Sequence, residues 1–171
     1  CDEGFLESEG DRAVYHQCRF GTLVIDGAVT STLDPGSDPE NGRFIRTDVY
    51  ESYEARFLDS GFRFRQDGTS TIDLDTKANR LVENAVLTIF TEGSALGQDE
   101  YTLVKVDLTT DIQTGTVLTG SIVSSLAAAG LAGIERVTLG YRTTTSADVD
   151  VDFEDGHAES FVYDLVTRTL T

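Results

Sequence analysis

The feature that most limits the fold is punctuation. From Tyr15 onward, short runs of β-branched and aromatic residues are cut every few positions by Gly and Asp. The runs are Thr22–Ile25, Ala28–Leu33, Tyr53–Leu58, Phe62–Arg65, Thr69–Leu74, Ala85–Phe90, Tyr101–Leu108, Val117–Val123, Arg136–Arg142, Ala147–Phe153 and Glu159–Val166. A content of 22 Thr and two Pro suits pleated strands better than helices. Only Ser124–Ile134 has a helix-forming composition, and Gly130 and Gly133 each cost it about 1 kcal/mol against Ala. The expected fold is all-β: an antiparallel β-sandwich or flattened barrel of about nine to eleven short strands, with at most one short helix over 124–134.

Three Asp-Gly pairs stand between strand-like runs: Asp26-Gly27, Asp67-Gly68 and Asp155-Gly156. Gly accepts positive φ freely and Asp tolerates it, so each pair reads as a hairpin turn. Asp59-Ser60-Gly61 reads as a fourth, joining Tyr53–Leu58 to Phe62–Arg65. Register can be tested on the last hairpin. A two-residue Asp155-Gly156 loop would set Asp152 against Glu159 and Asp150 against Phe161, which is unfavourable. A three-residue Glu154-Asp155-Gly156 loop instead pairs Val149 with Phe161 and Asp150 with Ser160, leaving one face apolar and the other polar. By the same test a Gln66-Asp67-Gly68 loop pairs Phe62 with Ile72 and puts Arg63 and Arg65 on one face with Thr69 and Thr71. The two hairpins share an Asp-Gly phrase followed by Asp73-Leu74-Asp75-Thr76 or Asp164-Leu165-Val166-Thr167. This echo suggests an internal pseudo-repeat over about 18–90 and 112–171, or chance similarity between hairpins.

At 171 residues the chain suits one core, so a single β-domain over 14–171 is expected. Residues 1–13 hold five acids and no period, and read as an N-terminal arm or tether. The formal charge is −17, with 11 of the 13 cations Arg. Such a surface repels phosphate backbones and anionic headgroups, which excludes nucleic acid as an expected partner. No run of 18 apolar residues exists, so no transmembrane helix is expected. Arg43 to Arg80 contain seven cations and seven acids, so the rest of the chain carries the whole net charge.

The chain has no Met and opens on Cys1, which reads as a start left by processing or by a boundary. Its two cysteines, Cys1 and Cys18, admit two readings. Either they form a disulfide tying the arm to the first strand, or Cys1 carries a lipid, as in bacterial lipoproteins, and Cys18 stays free. Both readings place the chain outside the cytoplasm: periplasmic, cell-surface or secreted.

No chemistry stands out. His16 and His157 lack metal-ligand spacing, so no structural zinc site is expected. His157 with Asp155 and Ser160 invites a triad, but no Gly-x-Ser-x-Gly elbow is present, and a polar His past a turn is the plainer reading. Nucleotide-binding glycine loops are absent. The one cofactor the pattern admits is Ca2+, on the acidic column Asp148, Asp150 and Asp152 with Asp155 at the turn. Alternate strand residues lie about 6.6 Å apart, so a second loop or backbone carbonyls would have to complete that site. A solvated acidic face explains the same residues. Arg63 and Arg65 form a complementary basic column, able to meet it between subunits or to pair within the chain.

The expectation is therefore a non-enzymatic, extracytoplasmic structural or interaction protein of the cell surface. It would be a lipid-anchored envelope protein or a self-associating subunit of a surface fibre or matrix, with other protein subunits or a surface ligand as partners. The alternative is a ligand-binding β-sandwich module, calcium-dependent and glycan-directed, with Tyr side chains as its contact surface.

Overall fold

A computed structural model describes residues 1–93, 100–126 and 133–171 of the chain. It holds one antiparallel sheet of twelve strands, each paired with its neighbours in sequence. They are β1 (Glu3–Glu9), β2 (Arg12–Phe20), β3 (Leu23–Leu33), β4 (Arg43–Phe57), β5 (Arg63–Asp75), β6 (Arg80–Glu92), β7 (Glu100–Asp111), β8 (Val117–Leu126), β9 (Ile134–Tyr141), β10 (Ser146–Phe153), β11 (Ala158–Asp164) and β12 (Thr169–Leu170). The all-β antiparallel expectation holds. Both edges stay open: β1 pairs with β2 alone and β12 with β11 alone. Of the helix expected over 124–134, residues 124–126 end β8 and Ile134 begins β9, while 127–132 lie outside the described residues. No helix among the described residues is long and apolar enough to cross a membrane.

Residues 1–13 are not a free arm. Glu3–Glu9 pairs with β2, and a disulfide joins Cys1 to Cys18, whose Cα atoms are 5.2 Å apart. Every residue of β1 is exposed, and its acids Glu3, Glu7 and Glu9 guard a free edge against stray pairing. The sulfur of Cys1 in this disulfide cannot also carry a thioether-linked lipid.

Two of the three Asp-Gly pairs are not turns. Asp26-Gly27 lies inside β3 and Asp67-Gly68 inside β5, so each fuses two of the expected runs into one long strand. The expected Phe62–Ile72 pairing is replaced: Gly68 pairs with Leu87 of β6, and Ile72 with Glu83. The reason is a crease of β-bulges crossing the sheet. Gln17 in β2 and Ser52 in β4 have φ of 51° and 49°, each at a register shift against its neighbours. The Asp26 carboxylate accepts the backbone N–H of Gln17 at 3.3 Å, and that of Asp67 accepts the N–H of Ser52 at 2.5 Å. A Cβ on Gly27 would collide with the Ser52 carbonyl oxygen, and one on Gly68 with that of Val86. Asp satisfies the bulge; Gly makes room for it.

The third pair behaves as read. Gly156 has φ 87° in a three-residue loop, and β10 meets β11 with Val149 opposite Phe161 and Asp150 opposite Ser160. The Asp59-Ser60-Gly61 turn joins β4 to β5 as expected. Three other hairpins open on an Asp whose carboxylate accepts a backbone N–H three residues later, at 2.8 Å each: Asp75 from Ala78, Asp111 from Thr114 and Asp164 from Thr167. Each turn ends on a left-handed residue, Asn79, Gly115 or Arg168. The Asp-Leu echo thus slips by two residues, since Asp75 is the structural counterpart of Asp164.

Burial is thin. Among the described residues the buried apolar ones are Cys18, Val24, Ala28, Ala85 and Ala147, none of them a large side chain. The chain exposes 10102 Å², whereas a compact chain of 18.6 kDa would expose about 8,200 Å². A roughly 1,900 Å² excess is what a sheet without a second layer leaves uncovered.

Candidate functional site

Cross-strand partners share a face, so the ladder sorts every side chain. One transverse row reads Ala85, Val106, Ile122, Leu139, Val149 and Phe161 from β6 to β11. The rows on either side, through Leu87 and through Glu83, share this face. Across the three rows the charged groups are Glu83 and Glu159. Followed towards β3, the central row turns polar through Ser70, Asp48 and Ser31. The reverse face carries most of the charge.

On that reverse face the cations are largely spent within the chain. Arg63 bridges Glu54 at 2.9 Å and Glu92 at 3.0 Å, and Arg65 meets Asp67 at 3.3 Å. Arg63, Arg65, Thr69 and Thr71 do share a face, as expected. Asp148, Asp150 and Asp152 share it too, but not around an empty centre. Asp148 binds Arg142 at 2.8 Å, Asp152 binds Arg136 at 2.6 Å, and Asp150 accepts the Ser160 hydroxyl at 2.6 Å. Asp155 sits apart at the turn, 2.5 Å from His157 Nδ1. Its pKa is lowered by the His157 backbone N–H first and the imidazole second. Among the described residues no three His, Cys, Asp or Glu are gathered as a metal ion would need. With Ser160 turned to Asp150 and His157 stacked 4.0 Å from Phe153, the triad geometry does not form.

The polar half of the apolar face holds a site that spacing alone did not reveal. An open pocket of about 580 Å³ is lined by Tyr15, Tyr50, Tyr53, Gln66 and Ser31, with Asp11 at the β1–β2 turn. Its volume falls in the range of small-molecule sites, about 300–1,000 Å³. Tyr15 and Tyr53 have ring centroids 6.1 Å apart with planes at 82°, and Tyr50 and Tyr53 are 5.8 Å apart at 64°. The crease builds this arrangement. Tyr50 and Tyr53 are three residues apart and would point to opposite faces of a regular strand. The bulge at Ser52 puts both on one face, opposite Gly68 and Gln66. Gly27 pairs with Tyr15 on the strand between Tyr15 and Tyr53, so no side chain separates the rings.

Beside the pocket, Asp48 is 3% exposed. It accepts the Ser31 hydroxyl at 2.6 Å and pairs with Arg46 at 2.9 Å. Burial raises the pKa of Tyr50, with Asp48 adding to it; burial also raises Tyr53, followed by the neighbouring Tyr15 and Tyr50. Both phenols are held in the neutral, donating form. Tyr was the expected contact residue type, but the three that converge became visible only once the bulges were placed.

No protein family, curated protein or solved structure matches this chain.

Proposed function

We propose that this chain is a non-enzymatic structural protein of an oxidising, extracytoplasmic compartment, and that it assembles with further copies of itself through its apolar face. The observation that carries this reading is the row from Ala85 to Phe161, apolar across six strands, with no second sheet among the described residues. The uncovered excess of roughly 1,900 Å² per chain fits the 2,000–5,000 Å² total that obligate homodimers bury. Two such faces, stacked about 10 Å apart, would make between chains the sandwich that the alternation demands. The β6–β11 half suits self-contact because its three central rows carry so little charge. The Cys1–Cys18 disulfide supports the compartment.

Charge supplies a further signature. At −17 per copy, association works against mutual repulsion, so salt should strengthen it. Sedimentation velocity across protein and salt concentrations tests the reading, with Leu139→Asp in the middle of the row as the variant. The native chain is expected to associate more tightly at high salt, and Leu139→Asp to stay folded and monomeric. A native chain that remains monomeric throughout, indistinguishable from the variant, removes the proposal.

A further inference from the structure

We propose that the tyrosine pocket is a cation site taking a quaternary ammonium head group, held by the faces of Tyr15, Tyr50 and Tyr53. It lies on the β1–β5 half of the sheet, apart from the rows proposed for self-contact, and does not depend on that reading.

Ring geometry is the first argument. A cation is attracted to an aromatic face within about 6 Å of its centroid. Tyr15 and Tyr53 meet edge to face, with planes at 82° and centroids 6.1 Å apart. Tyr50 adds a third ring against Tyr53 at 64°. All three rings line the same open pocket, so a cation seated in it lies against aromatic surface.

Electrostatics is the second. The chain carries −17, which concentrates cations at its surface and repels anions. Around the pocket the charged groups are Asp11 at the mouth and Asp48 with its partner Arg46, and Glu83 stands on the same face of β6. Arg12 also lines the rim, but its guanidinium is engaged by Glu51 at 2.6 Å. The balance is negative. Anionic ligands are disfavoured on the same ground.

The chain has no Trp to mask tyrosine emission, and three of its six Tyr line the pocket. The experiment titrates the intact, oxidised chain with choline chloride, with its neutral isostere 3,3-dimethylbutanol, and with neutral oligosaccharides. Choline is expected to give a saturable change at millimolar concentration, with the isostere at least about tenfold weaker. Tyr53→Phe should bind choline within about twofold of the native chain, because the ring face is kept, whereas Tyr53→Leu should lose about tenfold or more. A circular dichroism spectrum confirms that each variant is folded, and the isostere comparison needs no variant at all. Isostere binding as tight as choline would make the pocket merely apolar. Saccharide binding that Tyr53→Phe abolishes would make it a hydroxyl-reading site. Either result, or no saturable response to choline, overturns the proposal.

Discussion

Replacing Gly68 by Ala tests whether the crease exists, because a turn and a bulge predict different penalties at this position. Gly68 has φ 130° inside β5, and an added Cβ would meet the backbone carbonyl of Val86 on β6. Forcing a non-Gly residue into that conformation costs about 1–3 kcal/mol. Relieving the collision must also push β6 away, weakening two ladder bonds near Leu87 at about 0.5–1.5 kcal/mol each. The total is about 2–6 kcal/mol, or a fall in Tm of roughly 10 °C at the middle of that range for a chain of this length. Gly156→Ala is the internal control. Its φ is 87°, yet nothing lies within 4 Å of the added atom, so only the conformational penalty applies. The entropy Ala removes from the unfolded chain is common to both variants and cancels in their difference. Urea and thermal unfolding of the two variants side by side should therefore place Gly68→Ala about 1–3 kcal/mol below Gly156→Ala. Equal losses would mean that Asp67-Gly68 makes no close approach, and the bulge account would fail.

Other perturbations follow from the same geometry. The carboxylates of Asp111 and Asp164 are held below their ordinary pKa, chiefly by backbone N–H donors of their turns. Their contribution is complete above the unfolded value, about 3.9, and is lost as pH falls through the lower folded values. Asp111→Asn with Asp164→Asn should therefore flatten the acid limb of a stability profile below about pH 4; an unchanged limb would refute the assignment. Reducing the Cys1–Cys18 disulfide, which spans a separation of 17 residues, should cost about 3 kcal/mol, read as a lower urea midpoint. No shift would mean that the N-terminal hairpin is held without it. Millimolar calcium should leave Tm unchanged, since Arg142 and Arg136 already occupy Asp148 and Asp152; a rise of several degrees would restore a calcium site there.

Local pattern was enough for much of this fold. Alternation along Val149, Val151 and Phe161, set against Asp150 and Ser160, determined both the loop length and the register of the β10–β11 hairpin, because a one-residue slip would have buried acids. The same logic separated Arg63 and Arg65 from the apolar side of β5. Sequence could not distinguish an Asp-Gly that turns the chain from one that serves a bulge. Both uses need positive φ at Gly, and the difference lies in Gln17 and Ser52, on other strands. For that reason the meeting of Tyr15, Tyr50 and Tyr53 was hidden too. Whether the apolar faces close on one another within the chain was likewise beyond a local reading: period-two alternation requires a covered face, but only the tertiary structure shows that the described strands form one sheet with large apolar side chains left exposed.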